Sequence, residues 1–194
     1  MPRILFALVL LTCLISNSFA QTPSTINRVR ESVMQTKWMD GENGMLCTAF
    51  SVGITWAITA KHCLPPEGSN LDITIEDKPV KVIKSNDAFA LLEVPAGKYP
   101  ILWIRKDRPK VGEEVTSFGF PYGFPLMSFK RYVAAFCQCN FAAEDHLIMD
   151  GKIGKGMSGG PVVDINGKVV GLNQAGVDAI SIACTAEEIR DFLK

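Results

Sequence analysis

The sequence has no excess of charge of either sign. Lysine plus arginine and aspartate plus glutamate each number 20, so the formal net charge is zero. Nucleic-acid-binding proteins usually carry a basic stripe, and acidic tails mark solvating segments. Neither pattern occurs, and the sequence therefore predicts no nucleic-acid partner.

The sequence also has only one long hydrophobic run, which lies close to the N-terminus. It covers about 12 residues, Ile4–Ile15, follows an arginine and precedes the small-residue segment Ser18–Ala20. This layout is typical of a secretory signal peptide, whereas a transmembrane helix needs about 20 apolar residues. A membrane anchor and lipid attachment at Cys13 are the weaker alternatives. We expect a signal peptide at 1–20 and a secreted or periplasmic mature chain without a stable membrane anchor.

The sequence has few cysteines, and an odd number of them follow the predicted signal peptide. Of the 6 cysteines, Cys13 leaves with the signal peptide. Five remain: Cys47, Cys63, Cys137, Cys139 and Cys184. Cystine formation fits an oxidising compartment, and an odd count leaves at least one thiol or an intermolecular bond.

The remaining chain predicts an all-β protein. Residues 21–40 are typical of an N-terminal arm or a short helix. After Gly41, short β-rich runs alternate with turns and no repeat is present, as in barrels or sandwiches. A charged stretch around Pro109 interrupts the pattern and indicates a linker. The predicted ranges are a first β unit at 41–105, a linker at 106–111 and a second β unit at 112–184.

Two local signals are sharper. Asp164–Gly167 is a tight-turn sequence between apolar runs and predicts a hairpin. Thr185 and Glu188 form a capping box before an apolar helical face, so a C-terminal helix is expected at 185–194.

A candidate nucleophile lies in the glycine-rich segment Gly156–Pro161. Ser158 is flanked there by glycines that permit a tight turn and close approach of a substrate carbonyl. A plain glycine turn between strands is the alternative. Other residues favour catalysis: His62 follows an apolar strand candidate and could take the serine proton. Asp87 opens the apolar run Ala88–Leu92 and could hold the imidazole tautomer. The second histidine, His146, lies in a polar region and is expected in a loop.

These three segments resemble the signature segments of chymotrypsin-like serine proteases. They are Thr59–Cys63, Asp87–Leu92 and Gly156–Pro161, in the family order His, Asp, Ser. The similarity extends from about Leu46 to the C-terminus, and Phe118–Gly123 resembles the start of the second barrel in bacterial periplasmic members. The chain is similar to short bacterial or phage-type proteases.

The resemblance implies two six-stranded antiparallel β-barrels with a protein or peptide substrate bound between them. Ser158 would be the nucleophile, His62 the general base and acid, and Asp87 the orienting carboxylate. The N–H groups of Gly156 and Ser158 would form the oxyanion hole, and no metal or cofactor is needed. Cys47 and Cys63 match a family cystine beside the histidine, whereas the pairing of Cys184 with Cys137 or Cys139 stays open.

The resemblance also places a primary specificity pocket. Its implied lining is Lys152, Ile153, Gly154, Lys155, Asn173, Gln174, Ala175 and Gly176. Lys152 stands where trypsin carries its specificity aspartate, so cleavage after Lys or Arg loses its usual support, although Asp150 lies nearby. Met157 replaces the aspartate that pairs with a new N-terminus in digestive enzymes. A serine endopeptidase is the main interpretation, and a catalytically inactive protease-fold binding protein is the alternative. The oligomeric state is open.

Overall fold

The computed structural model describes residues 23–138 and 145–194. The predicted signal peptide and Cys139 lie outside the described residues. Helix α1 precedes β1 to β13, and helix α2 ends the chain. The bounds are α1 Pro23–Glu31, β1 Val33–Asp40, β2 Asn43–Ser51, β3 Trp56–Ala60, β4 Thr74–Ile75, β5 Lys78–Pro79, β6 Val82–Ser85, β7 Phe89–Glu93, β8 Glu114–Gly119, β9 Met127–Cys137, β10 His146–Asp150, β11 Pro161–Val163, β12 Val169–Val177, β13 Ile180–Thr185 and α2 Ala186–Leu193.

The first half is one antiparallel sheet of seven strands in the order β5-β4-β1-β2-β3-β7-β6. It is a half-barrel rather than the closed six-stranded barrel that the resemblance implies. The sheet ends at β5, whose Pro79 has no N–H to donate to a further strand. The predicted arm also needs correction, because Val33–Asp40 is strand β1 and pairs along its whole length with β2.

The second half is a closed barrel in the order β10-β13-β12-β11-β8-β9. Six strands and antiparallel pairing agree with the predicted second barrel. The hairpin expected at Asp164–Gly167 is confirmed between β11 and β12, and Gly167 adopts φ 75° in its turn. The chymotrypsin-like double-barrel architecture is therefore present, with its first barrel incomplete.

One hydrophobic core joins the two halves. Phe50, Ile58 and Phe89 of the first sheet belong to the same buried cluster as Phe118 and Leu172 of the second barrel. Burial of this shared apolar surface holds the two halves together.

Both ends of the described chain pack on this core through helices. Val29 of α1 and Ile189 of α2 are buried in it. The predicted capping box is confirmed at α2, where Glu188 N donates to Thr185 Oγ1 and the Glu188 carboxylate accepts from Thr185 N. No helix among the described residues is long and apolar enough to cross a membrane.

Candidate active site

Hydrogen bonds fix the carbonyl groups of the turn that carries Ser158. Thr48 of β2 donates its hydroxyl to Gly156 O at 2.7 Å and its N–H to Ser158 O at 2.9 Å. Gly160 N donates to Met157 O at 3.0 Å. The turn therefore has a defined backbone conformation before any substrate arrives.

Two N–H groups of this turn, those of Gly156 and Ser158, have no acceptor among the described residues. Tyr122 N donates to Lys155 O at 2.6 Å, and this orients the trans peptide so that the N–H of Gly156 points the opposite way. Among the described residues, neither Gly156 N nor Ser158 N donates to a protein acceptor. Two unsatisfied donors beside a serine can bind a developing oxyanion.

Glycine is required around the serine for steric reasons. A Cβ on Gly159 would lie 2.1 Å from Thr48 O, and the residue has φ 82°. A Cβ on Gly160 would lie 2.1 Å from Phe118 O. The glycines noted in the sequence thus allow the turn to pack against both halves.

His62 lies in a single 3₁₀ turn, Lys61–Cys63, directly after β3. His62 is partly open to solvent, yet nearby protein removes enough water to lower the pKa of its imidazole below 6.5. A ring nitrogen lies within 4.8 Å of the sulfurs of Cys47 and Cys63. The two sulfurs form the predicted disulfide, with Cα atoms 5.9 Å apart, so this group offers no thiolate to a metal.

The structure places Asp87 next to the histidine turn without joining the two side chains. Asn86 Oδ1 accepts the N–H of Ala88, and Ala88 O accepts from Lys61 N at 2.9 Å. The Asp87 carboxylate is exposed and forms no hydrogen bond or ion pair with a described residue. The predicted triad is thus brought into one neighbourhood but is not hydrogen-bonded together.

A cavity of about 530 Å³ is lined by both Ser158 and His62. Its lining residues are Gly44, Met45, Leu46, Cys47, His62, Tyr122, Lys155, Gly156 and Ser158. The half-buried hydroxyl of Ser158 donates to Gln174 O at 3.2 Å. The cavity thus brings Ser158, the N–H of Gly156 and His62 to the same solvent-accessible space.

The predicted specificity pocket is narrow. A Cβ on Gly176 of β12 would lie 2.8 Å from Ile153 O and 3.1 Å from Ile153 Cγ1, so the two walls are in contact. Ile153 is buried, whereas Lys152 and Lys155 are exposed beside it. Asp150 accepts a backbone hydrogen bond from Tyr132 N at 2.6 Å.

Asn173 differs from its predicted role. Its side chain is fully buried and bonds Ser117 Oγ and Phe118 O, so it does not line a pocket. Its carbonyl instead accepts from Gly159 N at 2.8 Å and so supports the turn that carries Ser158. Thr48 was not predicted as a functional residue, and nothing in its sequence context distinguishes it.

The structure also locates Cys137, Cys184 and His146. Cys184 is buried, and its sulfur accepts a hydrogen bond from Gln174 Nε2 at 3.1 Å. Cys137 takes part in a disulfide. His146 is buried at the start of β10 and is not a loop residue.

The trypsin-like peptidase domain matches residues 47–172, which is more than half of the chain. The chain belongs to this family. Among curated relatives of this trypsin-like peptidase, serine protease HTRA1 of Xenopus laevis is 31% identical over 164 residues, or 78% of this chain and 34% of that protein. A probable periplasmic serine endoprotease, DegP-like, of Chlamydia trachomatis is 26% identical over 138 residues, or 66% of this chain and 28% of that protein. The trypsin-like peptidase thus spans about a third of the length of these relatives.

Solved structures give the same fold. The active form of the Rv3671c protease from M. tuberculosis aligns with a TM-score of 0.76 at 21% identity, covering 90% of this chain and 86% of that one. The HtrA-type protease AlgW with a tripeptide aligns at 0.75 and 19% identity, covering 87% and 61%. The double-barrel fold of the trypsin-like peptidase is therefore shared with these proteases.

Proposed function

We propose that this trypsin-like peptidase is an exported serine endopeptidase that forms an acyl-enzyme on Ser158. The observation that carries the proposal is that Gly156 and Ser158, whose N–H groups have no acceptor among the described residues, line one cavity with His62. Buried N–H groups are normally hydrogen-bonded. Two N–H groups without an acceptor beside a serine hydroxyl are therefore more typical of an oxyanion hole than of an inactive protein.

The reaction follows from these groups. Ser158 Oγ attacks the peptide carbonyl carbon while His62 takes the hydroxyl proton, and the carbonyl oxygen becomes an oxyanion held by the two N–H groups. Collapse breaks the C–N bond, and the imidazolium gives its proton to the leaving amine. Water then attacks the ester by the same route and releases Ser158 with a carboxylic acid product.

Asp87 is assigned to orient His62 in this reaction. Its backbone neighbour Ala88 already bonds the residue before His62. Catalytic hydrogen bonds are often long or poorly aligned in free enzymes and tighten when substrate binds. The carboxylate would then turn from solvent to the imidazole as substrate fills the cleft.

Export and a peptide substrate complete the proposal. The N-terminal signal pattern and the Cys47–Cys63 disulfide both fit an oxidising compartment. The AlgW structure contains a tripeptide, and a cleft of the same fold can accept an extended peptide here.

The test compares the mature protein with its Ser158→Ala variant, using casein hydrolysis and labelling by a fluorophosphonate probe. We expect Ser158→Ala to fold normally and to lose about 10⁴- to 10⁶-fold in turnover, because the catalytic groups act as a unit. Ser24→Ala in α1 is the matched control and should retain activity and labelling. A folded wild type that neither labels nor hydrolyses casein would favour the protease-fold binding protein instead.

A further inference from the structure

Thr48 lies in the first sheet but bonds to the nucleophile turn of the second barrel. It follows Cys47 in β2 and is fully buried. Its N–H donates to Ser158 O at 2.9 Å, and its carbonyl accepts from Thr59 Oγ1 of β3 at 2.7 Å. Thr48 therefore links the strand that leads to His62 with the turn that presents Ser158.

The hydroxyl of Thr48 makes two further bonds across the same interface. It donates to Gly156 O at 2.7 Å and accepts from Phe120 N at 3.2 Å. A single buried hydroxyl thus satisfies a carbonyl of the nucleophile turn and an N–H of the loop after β8. Removing the hydroxyl takes one hydrogen bond from each partner, and Thr48 is fully buried, so water does not readily replace it there.

Gly156 is the residue for which such an anchor matters most. It has φ 96°, and a glycine can rotate readily between left- and right-handed conformations. Its N–H is one of the two proposed oxyanion donors, while its carbonyl is the group held by Thr48. Fixing that carbonyl limits rotation about the Gly156 backbone and keeps the N–H directed at the cavity.

We propose that the Thr48 hydroxyl is a positioning group for the oxyanion hole, acting through Gly156 O. The inference rests on the proposed serine endopeptidase function. It assigns assembly of the oxyanion hole to a side chain of the opposite half of the molecule, so the two halves must dock correctly before the site is competent.

The test replaces Thr48 by valine, which has nearly the same shape but no hydroxyl, and by serine, which keeps the hydroxyl. Steady-state hydrolysis of a peptide substrate gives kcat and KM, normalised to the folded fraction from near-UV circular dichroism. Removing a direct oxyanion donor costs about 10²- to 10³-fold in kcat. We expect an indirect group to cost less, so Thr48→Val should lower kcat about 10- to 100-fold with KM nearly unchanged.

The matched control is Thr36→Val on the neighbouring strand β1. Thr36 is equally buried, and its hydroxyl has no hydrogen-bond partner among the described residues. A general effect of losing a buried hydroxyl would appear in both valine variants. We expect Thr36→Val to keep the wild-type kcat and Thr48→Ser to restore most of it.

The proposal fails if folded Thr48→Val keeps kcat within about fivefold of wild type, which is well below the fall in kcat on removing a direct oxyanion donor. It also fails if the kcat of Thr48→Ser is as low as that of Thr48→Val. If Thr48→Val does not fold, Thr48→Ala is measured against the same thresholds. An active wild type with an unaffected Thr48→Val overturns only this inference. A wild type without proteolysis or fluorophosphonate labelling overturns the proposed function as well.

Discussion

At the scale of single residues, the proposed chemistry requires a neutral His62 to take the serine proton. Desolvation lowers the pKa of this imidazole from 6.5, so we expect kcat/KM to fall on acidification with a midpoint below that value. The measurement is kcat/KM for a peptide substrate from about pH 4.5 to 9, a range that brackets an ordinary imidazole.

The other histidine provides the control for this pH profile. His146→Gln should leave the midpoint unchanged, because His146 lies in β10 and does not line the cavity. A profile that is flat across the range, or that moves in His146→Gln, would contradict the role of His62. The lowered pKa also affects stability. The unfolded chain binds the His62 proton more readily than the folded chain, so the contribution of His62 to the free energy of unfolding is complete above pH 6.5. It decreases as the pH falls below that value.

Single residues differ in how far the sequence could predict them. Ser158 and His62 lie in local motifs, and the structure places both in one cavity. Thr48 could not be found in this way, because its bond to Gly156 joins positions 108 residues apart. Asn173 was predicted in the pocket from its place in a motif, but the burial of its side chain depends on packing that the motif does not contain.

At the scale of elements, the Cys47–Cys63 disulfide ties β2 to the histidine turn over a sequence separation of 16. Closing a loop of this size contributes about 3 kcal/mol by restricting the unfolded chain. We expect the double variant Cys47→Ala/Cys63→Ala to lose about that much free energy of unfolding in urea. We also expect a lower kcat, since the sulfurs lie within 4.8 Å of a His62 nitrogen. A loss below about 1 kcal/mol would contradict the prediction.

The pocket loop after β10 yields a prediction of specificity. Contact between Ile153 and Gly176 narrows the predicted pocket. The exposed ammonium groups of Lys152 and Lys155 disfavour a cationic substrate side chain. We expect a peptide-library profile with small aliphatic residues before the scissile bond and no dominance of Lys or Arg. Ile153→Ala should extend acceptance to larger apolar residues, whereas the control Lys152→Ala should not. A profile dominated by Lys or Arg would refute this assignment.

The elements themselves were predictable where a local signal fixes them. The capping box of α2 and the hairpin turn at Asp164–Gly167 involve only neighbouring residues, and both predictions are confirmed. Strand β1 was mistaken for an arm because Thr36 is polar although buried and Met39 is apolar although exposed, which obscures the alternation of the strand. Its pairing with β2 is a tertiary preference that overrides this weak pattern.

At the scale of the whole molecule, the resemblance predicted two closed barrels, and only the second is closed. The first sheet stays open because its edge strands β5 and β6 do not pair, and β4 and β5 are short, with two residues each. The shared core of the two halves could not be read from the sequence, since buried positions on β-strands do not reveal their partners. This shared burial favours cooperative unfolding of both halves together.

Arg105 lies just before the predicted linker and attaches this segment to the second barrel. Its side chain is 16% exposed and pairs with Asp107 at 2.8 Å, with Asp164 at 3.6 Å and with Glu113. Its backbone N–H donates to Val169 O of β12 at 2.8 Å. Hydrogen bonds to Asp107 and Glu113 raise the pKa of Arg105, so the guanidinium stays charged throughout the accessible pH range.

We expect Arg105→Met to lower the free energy of unfolding by about 2 kcal/mol, because it removes the cation beside Asp164, which is 5% exposed. The loss is smaller than for a fully buried pair, since Asp107 and Glu113 keep contact with water. Arg108→Met is the matched control from the same segment: its partner Asp145 is 38% exposed, and such surface pairs contribute about 0–1 kcal/mol. Urea unfolding followed by circular dichroism measures both variants. Equal effects of the two substitutions would mean that the Arg105 cluster contributes no more to stability than an ordinary surface ion pair.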